Sequence, residues 1–309
     1  GLGDLRRAEP ASPADVPRWR AHLAASGPDP TLEELCDDGR FEVVKRAVPG
    51  PSGAPDVPLL IARPAGLPEG APVIYHLHGG GMIGGTCHTG MPGILREWAA
   101  PLGLVVVSAD YRLAPEHPYP AGVEDCYAGL VWTARHAAEI GGDPERIVVA
   151  GGSAGGGLTA AVALMARDRG GPRLTGQLAM CPMLDDRNDT LSARQMNGRG
   201  VWDRRANQTG WASLLGAARG TDRVPPYAAP ARATDLSGLP PAYIDAGAAE
   251  TYRDEDIAYA TRIWQAGGDA ELHVWSGGFH GFDQIAPDTA VARDAREARV
   301  RWLRRVLDR

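Results

Sequence analysis

Apolar positions along this chain follow two rhythms. Short, nearly continuous apolar runs at 73–78, 104–108, 146–150, 177–180 and 242–245 alternate with stretches of helical period at 123–140, 157–167 and 254–265. A strand covered on both faces requires such a run, and parallel neighbours require a helical crossover, so the pattern predicts a parallel sheet with helices on both sides. Two earlier segments, 41–48 and 57–63, are strand-like and separated by the turn-rich 49–53, which predicts an antiparallel pair. A further strand is expected at 270–275 and a closing helix at about 289–307. In that helix Val291, Ala295, Ala298, Trp302, Leu303 and Val306 share one face. The body reads as α/β.

Two regions break the alternation. The first forty residues read as helical pieces interrupted by proline, with Trp19, Leu23, Leu32 and Leu35 as expected buried positions. Residues 185–232 form a long, polar, loop-rich stretch with Trp202 and Trp211 embedded in it. A long insertion in a compact domain is usually a functional lid. The expected organisation is therefore a discontinuous cap made of 1–40 and 185–232 over an α/β core made of 41–184 and 233–309.

Composition narrows the function classes. With 309 residues a large core is readily buried, and at 44% apolar and 23% charged residues the usage is that of a soluble protein without a membrane span. The net charge of -6 and the lack of a basic cluster exclude the electrostatic footprint of a nucleic-acid binder and favour small-molecule partners. Lys45 is the only lysine and lies in a strand-like segment, which leaves no support for a Schiff-base mechanism. Cys36, Cys87, Cys126 and Cys181 stand apart with no C-x-x-C pair, so no zinc or thioredoxin-like motif is indicated and a reducing cytoplasm is expected. The amino terminus lacks the apolar segment of a secretion signal, and its lack of an initiator methionine leaves a processed or trimmed start open.

The strongest chemical signal is Gly151-Gly152-Ser153-Ala154-Gly155, placed between an expected strand and an expected helix. This is the context of a G-x-S-x-G nucleophile elbow, in which a serine occupies a strained strand-to-helix turn and faces a helix amino terminus. No G-K-[ST] ending or G-x-G-x-x-G pattern supports a phosphate-binding loop instead. A second signal, His78-Gly79-Gly80-Gly81, directly follows an expected strand. Three glycines in a row stabilise no regular structure, so their value lies in backbone access. In acyl transfer that access supplies amides to a developing oxyanion, and the expected donors are Gly80, Gly81 and Ala154. His76 and His78 could pair as metal ligands, but no cysteine or carboxylate stands near them to complete a set.

A nucleophilic serine needs a base and an acid that orients it, following in the order serine, acid, histidine. Beyond Ser153 lie His273, inside a strand pattern, and His280, in a glycine-flanked loop after the last strand; His280 is the expected base. Asp245, Glu250, Asp254, Glu255 and Asp256 all compete for the acid on position alone. Asp254 and its neighbours open a helix, where acidic residues commonly complement the dipole, and Asp245 could be a turn residue.

Together these motifs, with Asp110-Tyr-Arg-Leu-Ala-Pro-Glu-His-Pro-Tyr-Pro120, resemble the hormone-sensitive lipase family of α/β-hydrolases over roughly 73–283. The resemblance implies an eight-stranded, mostly parallel sheet with a helical cap. In that family the acid precedes an Arg-Asp-Glu helix start, which assigns it here to Glu250 ahead of Arg253-Asp254-Glu255, with glutamate in place of the commoner aspartate and with or without help from Asp254. The family's usual aspartate before the nucleophile is Gly152 here, so no carboxylate supports the elbow at that position. The resemblance further implies a carboxylesterase for short to medium acyl esters, without metal or organic cofactor. Met82, Ile83, Trp202 and Trp211 are then candidate pocket walls, and a homodimer is expected by analogy. Other readings on the same scaffold are a natural-product tailoring hydrolase (deacylase, lactonase or dehydratase) and a non-catalytic small-molecule receptor such as the plant gibberellin receptors, which lack a complete triad.

Overall fold

The computed structural model describes residues 12–27 and 29–308, so the charged and proline-containing segment 5–10 lies outside the described residues. Eight strands form one sheet: β1 (Phe41–Val48), β2 (Val57–Pro64), β3 (Ala71–Leu77), β4 (Val105–Ala109), β5 (Gly142–Gly152), β6 (Gly176–Met180), β7 (Ala242–Ala249) and β8 (Ala270–Phe279). Their spatial order is β1-β2-β4-β3-β5-β6-β7-β8. β2 runs antiparallel to both β1 and β4, and every later neighbour pair is parallel. All five residues of β4 and of β6 are buried, as expected of strands covered on both faces, whereas edge strand β1 leaves most of its residues in solvent.

The two largest hydrophobic clusters, one per face, explain the coverage. Helices α1 (Val16–Ser26) and α2 (Leu32–Cys36) precede the sheet, α3 (Ala121–Arg135) and α4 (Ala154–Asp168) follow β4 and β5, and α5 (Leu191–Gln195) and α6 (Arg204–Leu215) lie between β6 and β7. Helices α7 (Arg253–Gln265) and α8 (Ala290–Leu307) complete the chain. On one face Val73, Tyr75 and Leu77 of β3 pack against Val123, Cys126 and Leu130 of α3 and Leu158 and Val162 of α4. On the other, Ile74, Val148 and Leu178 pack with Ala298, Trp302, Leu303 and Val306 of α8. This alternation along β3 follows from the period-two geometry of a strand, and each large apolar side chain so buried contributes about 1.5–3 kcal/mol.

Several expectations need correction. Leu32 is 37% exposed, because it is the first residue of a short capped helix whose buried contact is made by Leu35. The Leu23 side chain lies outside the described residues. Strand β8 continues past Gly277 and Gly278 to Phe279, because Phe279 pairs again with Ala249 of β7 after a local irregularity in the ladder, so His280 directly follows the strand rather than sitting in a free loop. Residues 185–232 are less loop-rich than their polarity suggests. Thr190 and Asp203 cap α5 and α6 with their side chains, and Asp186, Asn188, Ser192 and Asn207 are buried with hydrogen-bond partners. No helix among the described residues is long and apolar enough to cross a membrane.

Candidate active site

Ser153 caps α4 with φ 58° and ψ -120°, a backbone conformation that costs a β-carbon-bearing residue on the order of 1–3 kcal/mol. Hydrogen bonds on both sides hold it there. Its amide donates to the Met180 carbonyl at 2.8 Å, and its own carbonyl accepts from Gly157 and Met183 at 3.0 and 2.9 Å. Gly155 makes the turn sterically feasible: a Cβ there would stand 1.9 Å from the Leu77 carbonyl oxygen. The sharp bend lifts the Ser153 hydroxyl out of the sheet and aims the α4 amino terminus, where Ala154 has no intrahelical acceptor, at the same spot.

Beside it runs the glycine loop that leaves β3. A Cβ at Gly79 would lie 3.5 Å from that of Ser153, so the loop passes directly alongside the serine. Gly80 and Gly81 take φ values of 118° and 62°. Their amides donate to no protein acceptor among the described residues. The loop is held from beneath: Ile83 and Gly84 donate to the Gly80 carbonyl at 3.0 and 2.9 Å. Tyr111 stacks on His78 at 4.1 Å and donates to its carbonyl at 2.7 Å. Arg112 in turn forks onto Asp125 of α3 with two bonds of 2.7 Å. Residues 110–120 therefore brace the glycine loop, a physical reason for their motif. Burial lowers His78 to about 4 and His76 to about 3, so both are neutral near pH 7, and His76 bonds Ser108 rather than a metal partner.

His280 reaches over from the end of β8. With Nδ1 protonated it donates to Glu250 Oε1 at 3.2 Å, and its bare Nε2 accepts from Ser153 Oγ at 3.1 Å. Glu250 follows β7 and is 1% exposed; the Gly247 amide donates to its other oxygen at 3.0 Å. Tyr252 meets the His280 ring edge-on at 5.3 Å. Three of the four rival acids are engaged elsewhere, and the fourth, Asp256, makes no hydrogen bond to His280. Asp245 lies within β7, not at a turn, and accepts from Arg299 at 2.9 and 3.2 Å. Asp254 accepts from the Ser192 amide at 2.7 Å. Glu255 does not simply complement the helix dipole: it is buried and accepts from the Leu184 and Asp185 amides at 2.8 and 3.1 Å. Asp256 is also fully buried, and burial, then Glu250, pushes its carboxyl well up.

The four expected pocket residues divide. Trp202 lies over the glycine loop, where a Cβ on Gly81 would stand 2.3 Å from its ring, and it approaches Trp19 of α1 with centroids 6.4 Å apart. Met82 lines a cavity with Tyr111, Leu158 and Leu214. Ile83 and Trp211 have no accessible surface, so they pack beneath these residues instead of walling an open pocket. Arg20 carried no sequence signal, yet it donates to the Ile83 and Ala114 carbonyls and pairs with Glu116 at 2.9 Å, tying α1 to the glycine loop and its brace.

Comparison with known proteins decides the family. A family model described as alpha/beta hydrolase fold matches residues 74–284. Carboxylesterase NlhH of Mycobacterium tuberculosis is 38% identical over 279 residues, covering 90% of this chain and 86% of that protein. Human hormone-sensitive lipase is 37% identical over 148 residues, 47% of this chain and 14% of its own length. The chain belongs to the hormone-sensitive lipase family of α/β-hydrolase carboxylesterases. Its activity is accordingly carboxylic ester hydrolysis. Among solved structures, a bacterial heroin esterase superposes with a TM-score of 0.88 at 37% identity, covering 96% of this chain and 93% of that one.

Proposed function

We propose that this esterase cleaves short to medium acyl esters through a Ser153–His280–Glu250 triad and an acyl-enzyme intermediate. The observation that carries the reading is the continuous hydrogen-bonded line from Glu250 through His280 to Ser153, with spacings of 3.2 and 3.1 Å. As Ser153 Oγ attacks the ester carbonyl, His280 Nε2 takes its proton and later delivers it to the departing alcohol. Glu250 holds the imidazole in the required tautomer and stabilises the imidazolium, while the Gly247 amide fixes the carboxylate. The amides of Gly80, Gly81 and Ala154 receive the oxyanion, each such donor supplying about 2.7–4 kcal/mol to the transition state in comparable sites. Water activated by the same histidine releases the acyl group. The mechanism calls on no metal or organic cofactor.

Residues 1–40 and 185–232 are read as the cap, with Trp202 and Met82 bounding the substrate beside the glycine loop. The four free thiols fit a reducing, cytoplasmic setting, and family analogy adds a homodimer. Hydrolysis of p-nitrophenyl acetate and butyrate tests the core of this reading. Activity in the wild type and a loss of about 10³–10⁴-fold or more in Ser153→Ala are expected; equal activity in the two proteins contradicts the triad.

A further inference from the structure

Cys181 directly follows β6, and ester hydrolysis through the triad has no use for it. Its backbone adopts φ 39°, and its amide donates to the Asp245 carbonyl at 2.6 Å. This bent, anchored backbone sets the thiol beside the acid and base. One ligand atom each from Cys181, Glu250 and His280 all lie within 4.8 Å of one another. Cys181 and His280 keep partial solvent access, whereas Glu250 is buried.

Sulfur, imidazole nitrogen and carboxylate oxygen are the three donor types that zinc-class dications select, and three protein ligands plus one open position form a common tetrahedral arrangement. Bond lengths of about 2.0–2.3 Å place two ligands of such an ion roughly 3.5 Å apart. The cluster is therefore at most about 1.3 Å too wide, a gap that side-chain torsions can close. The surrounding charge also favours a cation. Burial, then the carboxyls of Glu250, Asp283 and Asp245, pushes the Cys181 thiol up, so its proton leaves only in exchange for a metal bond, and the buried guanidinium beside these carboxyls is that of Arg299. Arg299 is already engaged by Asp245 and Asp283, and the two oxygens of buried Asp256 have no hydrogen-bond partner among the described residues.

We propose that Cys181, Glu250 and His280 Nδ1 form an inhibitory site for a thiophilic dication of the zinc class. Binding forms metal bonds to sulfur, oxygen and Nδ1. The Cys181 thiol releases its proton to solvent. Neutral His280 keeps a single ring proton, but with Nδ1 metallated that proton must reside on Nε2. Nε2 then has no lone pair for the Ser153 hydroxyl, and Glu250 is drawn from its orienting role into coordination. The enzyme is switched off without any ligand touching the serine.

The inhibitory half rests on the triad proposed above, whereas metal capture does not, and the experiment separates them. Cobalt(II) titrated into the full chain, in both wild type and Ser153→Ala, should develop a near-ultraviolet thiolate charge-transfer band saturating at one ion per chain. The band should vanish in Cys181→Ser and Cys181→Ala and survive in Cys36→Ser, which removes the other partly exposed thiol. In parallel, micromolar zinc should suppress wild-type p-nitrophenyl butyrate hydrolysis at least tenfold, reversibly with a chelator. The two Cys181 variants should retain basal activity and need at least tenfold more zinc. An absent cobalt–thiolate band, or zinc sensitivity unchanged in both Cys181 variants, overturns the proposal. A protein with no esterase activity that still shows the Cys181-dependent band overturns the triad reading and leaves the metal site standing.

Discussion

A glutamate occupies the position where the family more commonly has an aspartate, and the structure shows how the extra methylene is accommodated. Glu250 spans from the Gly247 amide to His280 Nδ1, with one carboxylate oxygen on each. Glu250→Gln keeps the shape but can present its amide group to Nδ1, which favours the wrong imidazole tautomer; kcat should fall by about 10²–10⁴-fold with little change in KM. Glu250→Asp withdraws the carboxylate by one bond and should also lose activity, though less than the amide. Steady-state kinetics of the two variants check this, and undiminished kcat in both would remove Glu250 from the triad. The proposed acid was the least legible of the three candidates in the sequence, because five carboxylates share one short stretch and spacing alone does not rank them. Ser153 and His280 were legible for the opposite reason. Tight turns impose glycines around both, and those glycines are visible without coordinates. Cys181 and Arg20 act through long-range contacts with no local pattern, so nothing in the sequence marked them.

At the scale of elements, β3 and the residue that follows it place two buried histidines at the start of the glycine loop. His76 lies in the strand and His78 just after it, with burial lowering them from 6.5 to about 3 and about 4 respectively. Below pH 6.5 the unfolded chain binds protons that the native state refuses, so the stability these residues contribute is lost as the pH falls and levels off below their native values. Each should steepen the loss of unfolding free energy by about 1.4 kcal/mol per pH unit between pH 6 and 4.5. Urea unfolding at several pH values should therefore show a shallower dependence in His76→Asn than in wild type, and identical slopes would contradict a neutral buried His76. The strand–helix alternation was readable because each core strand is a continuous apolar run. The limits of β8 and the helices within 185–232 were not. Glycines at the end of β8 read as a loop, and the inserted helices bury polar side chains that satisfy one another instead of displaying an apolar stripe.

Across the whole molecule, the last helix is coupled to the candidate site through one buried arginine. Arg299 of α8 forks onto Asp245 of β7 and also binds Asp283, three residues beyond His280. Removing one partner of a buried ion network leaves uncompensated charge, so Arg299→Ala should cost about 3–5 kcal/mol in urea unfolding, and freeing the Asp283 segment should lower activity as well. A loss below about 1 kcal/mol, the range of exposed pairs, would contradict this role. The sheet order could be reached through family resemblance but not from periodicity, because pattern gives strand identity and not neighbour order. The proposed mechanism turns at every level on one local event, the transfer of an acyl group to Ser153 Oγ. The most direct test is intact-mass and peptide mapping after reaction with a fluorophosphonate. One adduct per chain on Ser153 is expected, absent in Ser153→Ala and formed far more slowly in His280→Ala; an adduct on another residue, or no adduct on a folded protein, contradicts the assignment.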